Sequence, residues 1–209
     1  ADWYPRLRRI ATDSLRGLPA APIRVLLAAE AAMPDPATPP RETLFQTRWL
    51  GLHRIGHWDF VERPNADACV AILPITPAAE VVLIDQHRIP VQRRVIEIPA
   101  GLVGDADAHP GESLADTAAR ELLEETGFRA GRVELLLESP TSAGMTSEMT
   151  FLFLATDLVR DHAGGGTGHE EIRVHLVPLA ILRDWLDARH REGFAVDFKI
   201  HAALWAAGL

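Results

Sequence analysis

Short apolar stretches, some alternating with polar residues and some continuous, recur along the chain between glycine, proline and small polar residues. This pattern predicts a series of β-strands rather than a helical bundle. Strands are expected in residues 43–63, as two strands with a turn at Gly56, and at 68–75, 80–85, 95–98, 132–138, 149–156 and 172–177. Helical spacing closes the chain at 179–190, with Leu182, Trp185 and Leu186 on the apolar side, and at 202–207.

A longer helix is predicted in the middle of the chain, over residues 114–126. Ser113 can cap its first turn, and Asp116 three residues later completes the pattern of a capping box. Gly127 stands where helices commonly end in a left-handed residue. Strands on both sides of this helix, with further helices at the end of the chain, indicate an α/β layered domain.

Three glutamates of this helix lie close together on its surface. At about 100° per residue, Glu121, Glu124 and Glu125 share an arc of about 100°, and Arg120 borders that arc. Like charges one turn apart weaken a helix by a few tenths of a kcal/mol, so helix stability alone does not favour this arrangement. A divalent cation such as Mg²⁺ relieves the repulsion, because it prefers carboxylate oxygens. The alternative is a solvated acidic face, which is common on helices.

The residues around these glutamates form a motif. Arg-Glu-Leu-Leu-Glu-Glu-Thr-Gly-Phe, residues 120–128, resembles the core of the Nudix hydrolase signature. Glu112 stands where that signature has its upstream glutamate, and Gly101 where it has its opening glycine. Ten residues separate Gly101 from Glu112, more than is usual in the signature. The surplus falls in residues 104–111, a turn-rich stretch where insertion costs little closure entropy, and we interpret it as a lengthened loop.

The resemblance implies the α/β/α sandwich with a mixed sheet that Nudix proteins share. We expect an N-terminal arm with a proline-rich linker over residues 1–42, and N-terminal strands that form a small antiparallel sheet over 43–66. The Nudix domain is then expected over residues 67–209. Four arginines near the beginning of the arm, Arg6, Arg8, Arg9 and Arg16, form a short basic segment. The arm is expected either to pack on the body or to act as a regulatory tail.

Composition narrows the class of function. A net charge of −8 over 209 residues argues against a nucleic-acid-binding surface. Cys69 is the only cysteine, so no intramolecular disulfide can form. No apolar run reaches the roughly 18 residues of a membrane span, and no signal-peptide pattern opens the sequence. A cytoplasmic protein without membrane or nucleic-acid partners is therefore expected.

Three segments outside the signature resemble the ADP-ribose pyrophosphatase branch of the family. Residues 86–88 (Gln-His-Arg) resemble a strand end whose arginine contacts the substrate. This resemblance gives Arg88 that role, and the alternative is an ion pair with Glu97. Residues 142–148 (Ser-Ala-Gly-Met-Thr-Ser-Glu) resemble the loop on the sugar side of the substrate. Residues 168–175 resemble an acidic segment before the last strand, and the glycines at 164–166 ahead of it suit a mobile loop that closes over the substrate.

The resemblance also implies which residues form the site. The expected substrate-binding residues are Trp58, Arg88, Glu97, Leu102, Gly144 and Glu148. Among them, Trp58 is expected to stack on adenine, with a place in the core as the alternative. The expected ligands of Mg²⁺, for which Mn²⁺ can substitute, are the carbonyl of Ala100 and the carboxylates of Glu112, Glu121, Glu124 and Glu125.

Catalysis is assigned to Glu121 and Glu125 through the metal, and to a general base for which Glu170, Glu171 and Glu148 are candidates in that order. Arg120 is expected to orient the glutamates, while Gly101 and Gly127 shape the backbone. The expected reaction is Mg²⁺-dependent hydrolysis of ADP-ribose to AMP and ribose 5-phosphate. The alternatives are hydrolysis of another nucleoside diphosphate sugar or a dinucleotide, and a Nudix-like nucleotide-binding domain without turnover. A homodimer is expected, in which the N-terminal sheet completes the neighbour's pocket.

Overall fold

The computed structural model describes residues 38–66, 68–104, 111–166 and 171–209. The strands in these ranges are β1 (Arg41–Gln46), β2 (Gly51–Ile55), β3 (Trp58–Glu62), β4 (Ala68–Pro74), β5 (Glu80–Arg88), β6 (Arg93–Glu97), β7 (Ala100–Val103), β8 (Phe128–Arg129), β9 (Arg132–Pro140), β10 (Met149–Thr156), β11 (Val159–Arg160), β12 (Arg173–Pro178) and β13 (Ala195–Val196). The helices are α1 (Leu114–Thr126), α2 (Leu182–Arg191) and α3 (Phe198–Ala206), with 3₁₀ turns at Ile89–Val91 and Leu179–Ile181. The predicted arm lies outside the described residues as far as residue 37.

Two four-stranded mixed sheets form the body. The first has the order β7-β4-β10-β9, and the second has the order β12-β5-β6-β13. Strand β10 runs parallel to β4 and antiparallel to β9, while β13 runs parallel to β6. The mixed α/β fold predicted from the sequence is therefore confirmed.

The side chains of β4 divide between two cores, because successive residues of a strand point to opposite faces. Val70 and Ile72 belong to a core that also contains Ala118 and Leu122 of α1. The intervening residues of β4, Ala71 and Leu73, belong to a second core with β5, β6 and the two C-terminal helices. The four residues 70–73 have no solvent exposure. This strand is buried on both faces and places α1 on one side of its sheet.

Helix α1 begins and ends where the sequence predicts. The Ser113 hydroxyl accepts a hydrogen bond from the Asp116 backbone N–H at 3.2 Å, and the Gly127 N–H donates to the Leu123 carbonyl at 2.8 Å. Gly127 has a φ of 75°, and a side chain there would overlap the carbonyl oxygen of His162. The glycine is thus required both by the backbone angle and by the close approach of residue 162.

The N-terminal strands form the small antiparallel sheet that was predicted, with the order β1-β2-β3. The turn at Gly56 is confirmed, with a φ of 61°. The expectation of two strands is wrong, because a further turn separates β1 from β2. The Thr47 hydroxyl accepts hydrogen bonds from the N–H groups of Trp49 at 3.1 Å and Leu50 at 3.0 Å. No glycine or proline marks this turn, so its sequence resembles a continuous strand.

Other differences from the sequence predictions concern the boundaries and the shortest strands. Helix α3 begins at Phe198 rather than at residue 202, because the Asp197 carboxylate accepts a hydrogen bond from the Lys199 N–H at 2.7 Å and caps it. Strands β7, β8, β11 and β13 are too short for a periodicity argument, and pairing with neighbours defines them. Within the described ranges, none of the helices combines the length and apolar character that a membrane crossing requires.

Candidate active site

Arg120 is the centre of the glutamate cluster on α1. Its guanidinium donates hydrogen bonds to Glu112 at 3.2 Å, to Glu121 at 2.9 Å and to Glu124 at 3.2 Å. Burial works against the charge of Arg120, but the bonds to Glu112 and the charge of Glu121 outweigh it and raise the pKa of the guanidinium. Among the described residues, three carboxylates therefore share the guanidinium of Arg120.

The fourth glutamate of the predicted site connects α1 to the strand that precedes it. Glu125 is only 4% exposed, and its Oε2 accepts a hydrogen bond from the Ala100 N–H at 3.0 Å. The next residue, Gly101, packs so closely on α1 that a side chain at this position would overlap the Glu121 carboxyl group. The beginning of β7, at Ala100 and Gly101, is thereby brought against Glu121 and Glu125, two of the four glutamates expected to bind metal.

The donor chemistry of this group fits a hard divalent cation, because carboxylate and backbone carbonyl oxygens are the ligands such ions prefer. The close contact of Gly101 with Glu121 brings the backbone of β7 next to these carboxylates. Glu112, Glu121 and Glu124 point towards Arg120. In the part of the chain that the structure describes, no three His, Cys, Asp or Glu side chains form a finished metal-binding cluster. The carboxylate oxygens of Glu112, Glu121 and Glu124 therefore surround the guanidinium of Arg120.

The segment that follows β11 is bonded to the end of the same helix. The Gly165 N–H donates to the Glu125 carbonyl at 2.9 Å, and the Gly166 N–H donates to the Glu124 carbonyl at 3.2 Å. These bonds satisfy carbonyls that have no partner inside a helix. The glycine run is therefore anchored on α1, in contrast to the flexible connection expected from the sequence. Residues 167–170, including the candidate base Glu170, lie outside the described residues.

Arg88, the last residue of β5, and Glu97, the last residue of β6, form an ion pair. The Arg88 Nε donates to Glu97 Oε2 at 2.9 Å, so the alternative stated for Arg88 is present in the structure. Burial raises the pKa of Glu97, and the nearby charge of Arg88 only partly opposes this effect. The Arg88 side chain remains 44% exposed, which leaves it accessible to a ligand.

A second arginine cluster lies behind this pair and was not predicted. Asp85, which is 1% exposed, forms an ion pair with Arg94 and a hydrogen bond of 2.7 Å with His175 Nε2. Arg94 Nη2 also donates to the backbone carbonyl of Glu171 at 3.0 Å, which holds this candidate base at the start of β12. The available signal was Asp85 itself, an acidic residue at the end of the apolar run 81–84, because buried charges require partners.

The loop predicted on the sugar side of the substrate, residues 142–148, lies against the N-terminal sheet. Trp58 is 52% exposed rather than buried in a core, and its Nε1 donates to the Gly144 carbonyl at 3.2 Å. Glu148 accepts hydrogen bonds from Arg63 at 2.7 Å and from Thr141 at 3.0 Å. Arg63 was absent from the predicted site, because no periodicity or motif marks it in the sequence.

Cys69 of β4 lies near several of the residues described above. In the first sheet Cys69 lies between Leu102 of β7 and Thr150 of β10. Burial, with the negative charge of Glu148 as the next contribution, raises the pKa of the Cys69 thiol to about 11, while positive charges on Lys199, Arg63 and Arg88 oppose the shift. Three predicted residues from separate segments, Leu102, Glu148 and Arg88, thus lie near this end of β4. Lys199 is a cation there that the sequence analysis missed.

The family assignment rests on this fold and on a match of the whole domain. The family model for the NUDIX domain matches residues 65–196, which include the helix and both four-stranded sheets. The chain belongs to the Nudix hydrolase family. A solved structure described as an ADP compounds hydrolase aligns with a TM-score of 0.65 and 21% identity, over 81% of this chain and 90% of that one. That likeness concerns the fold.

The names of several similar proteins state different functions. The chain is 33% identical to a methanol dehydrogenase activator of Bacillus methanolicus over 59% of its length. It is 36% identical to an ADP-ribose pyrophosphatase of Bacillus subtilis over 48% of its length, and 40% identical to a GDP-mannose pyrophosphatase of Enterobacter over 47%. The matches span 62%, 50% and 53% of those proteins, respectively.

Proposed function

We propose that the chain is a metal-dependent pyrophosphatase that hydrolyses ADP-ribose to AMP and ribose 5-phosphate. The observation that carries this proposal is the cluster of carboxylates around Arg120, pressed against the beginning of β7 at Ala100 and Gly101. Several carboxylates grouped around one guanidinium and partly buried on a helix offer the oxygen ligands that a divalent ion bound with a diphosphate prefers. The similarity to an ADP-ribose pyrophosphatase supports the substrate.

The residues that would hold Mg²⁺ are Glu121 and Glu125 with the Ala100 carbonyl, and Glu124 beside them. Bound there, the ion would neutralise charge on the diphosphate and lower the pKa of a water molecule. Glu112 braces Arg120, and Arg120 restrains the carboxylates so that their orientation is set before substrate arrives. Arg88, at 44% exposure, would supply positive charge to the diphosphate.

The proton of the attacking water requires a carboxylate acceptor outside the metal ligands. Glu170 remains the first candidate and lies outside the described residues. Glu171, the second candidate, has its backbone carbonyl bonded to Arg94, and Glu148, the third, is held by Arg63 and Thr141. Replacing each of the three by glutamine and measuring the pH dependence of kcat/KM would identify the base, since only its loss removes the acidic limb.

A second substrate class is supported by one observation, the 40% identity to a GDP-mannose pyrophosphatase. A nucleotide-binding role without turnover remains the third possibility. The test is product analysis by chromatography after incubation with ADP-ribose, GDP-mannose or a dinucleotide in Mg²⁺. The proposal predicts the highest kcat/KM for ADP-ribose, with AMP and ribose 5-phosphate as products. A higher value for another compound contradicts the substrate, and binding of all three without turnover contradicts the enzymatic function.

We propose in addition that the protein is a homodimer through its N-terminal sheet. Large apolar side chains lie on this sheet and its turn with much of their surface exposed: Leu44, Phe45, Trp49, Leu50, Leu52 and Trp58. Such a concentration of apolar surface is typical of an interface. Light scattering is expected to give twice the chain mass of 22.9 kDa, and Phe45→Glu is expected to shift the mass to that of a monomer. A monomeric wild-type protein at micromolar concentration would contradict the dimer.

A further inference from the structure

Strand β3 is joined to residues 141–148 by backbone hydrogen bonds. The Val61 N–H donates to the Met145 carbonyl at 2.8 Å, and the Ser147 N–H donates to the Val61 carbonyl at 3.3 Å. Val61 and Thr146 form a parallel bridge. The sugar-side loop is therefore attached to the N-terminal sheet along one edge, as well as to β9 and β10 at its two ends.

Side chains at the end of β3 add polar contacts to this attachment. Arg63 Nε donates to Glu148 Oε2 at 2.7 Å, while the Thr141 hydroxyl donates to Glu148 Oε1 at 3.0 Å. The Ser147 hydroxyl donates to Glu62 Oε2 at 3.1 Å. Both oxygens of Glu148 thus have donors on opposite sides, one from the N-terminal sheet and one from the Nudix domain.

These residues line a cavity of about 390 Å³, a size that is ordinary for a small-ligand site. Its lining residues are Glu62, Arg63, Pro64, Ala66, Ala68, Ser147 and Glu148. The Glu148 side chain is 17% exposed and that of Arg63 is 39% exposed. Carboxylates and a hydroxyl beside an arginine suit the hydroxyl-rich end of a sugar, because they offer both acceptors and donors.

We propose that Arg63 is a positioning residue that fixes the Glu148 carboxylate at the wall of this cavity. The N-terminal sheet thereby sets the geometry of the sugar side of the site. This inference rests on the proposed function and on the expectation from the sequence that Glu148 binds the substrate. Two donors on opposite oxygens hold the carboxylate in one orientation, whereas Thr141 alone would let it rotate. Displacement of a contacting group by about 1 Å can cost about a hundredfold in rate.

The test compares Arg63→Ala with a matched control on the same sheet. Arg54→Ala breaks the ion pair between Arg54 and Asp59, whose side chains are 45% exposed and which does not include the loop 141–148. We expect Arg63→Ala to lower kcat/KM for ADP-ribose about 10- to 100-fold, mainly through KM, and Arg54→Ala to leave it unchanged. Arg63→Lys should recover part of the loss, because lysine keeps a charged N–H donor. Equal values for the two alanine variants would overturn the proposal.

A double-mutant cycle separates positioning from direct contact with substrate. In a Glu148→Ala background, Arg63→Ala should change kcat/KM by less than about twofold, because Arg63 then has no carboxylate to orient. Additive losses would overturn the proposal and indicate that Arg63 acts independently of Glu148. Hydrogen exchange of residues 141–148 should be unchanged in Arg63→Ala, since the backbone bonds to Val61 remain. Increased exchange throughout the segment would show a structural role and overturn positioning.

Failure of the proposed function has a different outcome. If the wild-type chain turns over no nucleoside diphosphate compound, the enzymatic proposal fails irrespective of Arg63. Calorimetric binding of ADP-ribose in the presence of Mg²⁺ to wild type, Arg63→Ala and Arg54→Ala then tests the position of Glu148. A Kd raised about tenfold or more by Arg63→Ala alone supports the inference, and an unchanged Kd overturns it.

Discussion

Arg94 and Arg120 each contact carboxylates, and the two clusters differ in the burial of those carboxylates. Arg94 forms an ion pair with one carboxylate, Asp85, which is 1% exposed and also bonded to His175. Arg120 binds the three carboxylates of Glu112, Glu121 and Glu124, whose side chains are 16–33% exposed. The two arginines themselves are alike, at 19% and 20% exposed. The carboxylate of the first cluster is therefore enclosed, and those of the second are partly open to solvent.

The difference shows how burial separates a structural cluster from a candidate site. A buried pair needs all its partners, because removing one leaves an uncompensated charge in a low-dielectric interior. Asp85 and Arg94 connect β5, β6 and the beginning of β12 in this way. The glutamates of α1 lie close together and repel one another. A divalent cation bound by their oxygens would reduce that repulsion, which is the physical basis of the proposed metal site.

The largest effect on stability is expected when the ion pair between Asp85 and Arg94 is broken. Asp85→Asn should lower the free energy of unfolding by about 3 kcal/mol, because Arg94 loses the charge of its buried partner. Urea unfolding followed by circular dichroism measures this change. Asp59→Asn, which breaks an exposed pair with Arg54, is the control and should cost less than about 1 kcal/mol. Similar small losses in both variants would contradict the distinction between the clusters.

Glu125, which is 4% exposed and lies beside the Arg120 cluster on α1, is expected to affect activity more than stability. Glu125→Gln should lower kcat by about two orders of magnitude or more, because the amide is a poorer metal ligand than the carboxylate. The fold should persist, since a glutamine oxygen can still accept the hydrogen bond from Ala100. Initial rates with ADP-ribose and a thermal melt measure the two quantities. Glu192→Gln at the surface end of α2 is the control, and an unchanged kcat in Glu125→Gln would remove this residue from the site.

A smaller effect on stability is expected from titration of Glu97 in its ion pair with Arg88, whose burial is intermediate between the two clusters. Burial raises the folded-state pKa of Glu97 above 4.5, its ordinary value. The folded state therefore favours the protonated form, so the stabilisation is complete below pH 4.5 and is lost as the pH rises through the folded-state pKa. Relative to Glu97→Gln, wild type should lose stability as the pH rises above 4.5. Urea unfolding at several pH values measures this difference, and a gain of stability with rising pH would contradict the assignment.

Local signals in the sequence accounted for most of the body of the fold. The capping serine and terminal glycine defined α1 to the residue, and the apolar runs located the longer strands of both four-stranded sheets, β4, β5, β6, β9, β10 and β12. The turn at Thr47 was missed because a hydroxyl bonded to the backbone replaces glycine or proline there. The short strands were missed because pairing with distant neighbours, rather than their own sequence, defines them.

The candidate site could be predicted where its residues belong to one helix and not where tertiary contacts join distant segments. Glu121, Glu124 and Glu125 are grouped by helical spacing alone. The contacts of Arg63 with Glu148 and of Arg94 with Glu171 join residues 85 and 77 positions apart. No local pattern in the sequence predicts such pairs. The anchoring of Gly165 and Gly166 on α1 was missed for the same reason, because a glycine run alone suggests only flexibility.

The most direct test of the account is a crystal of the protein with Mn²⁺ and a non-hydrolysable analogue of ADP-ribose, recorded at a wavelength where manganese scatters anomalously. We predict an anomalous peak beside the carboxylates of Glu121 and Glu125, adjacent to the diphosphate, and its loss in crystals of Glu121→Gln. Diphosphate bound elsewhere, with these glutamates still paired to protein groups and no peak beside them, would contradict the proposed site.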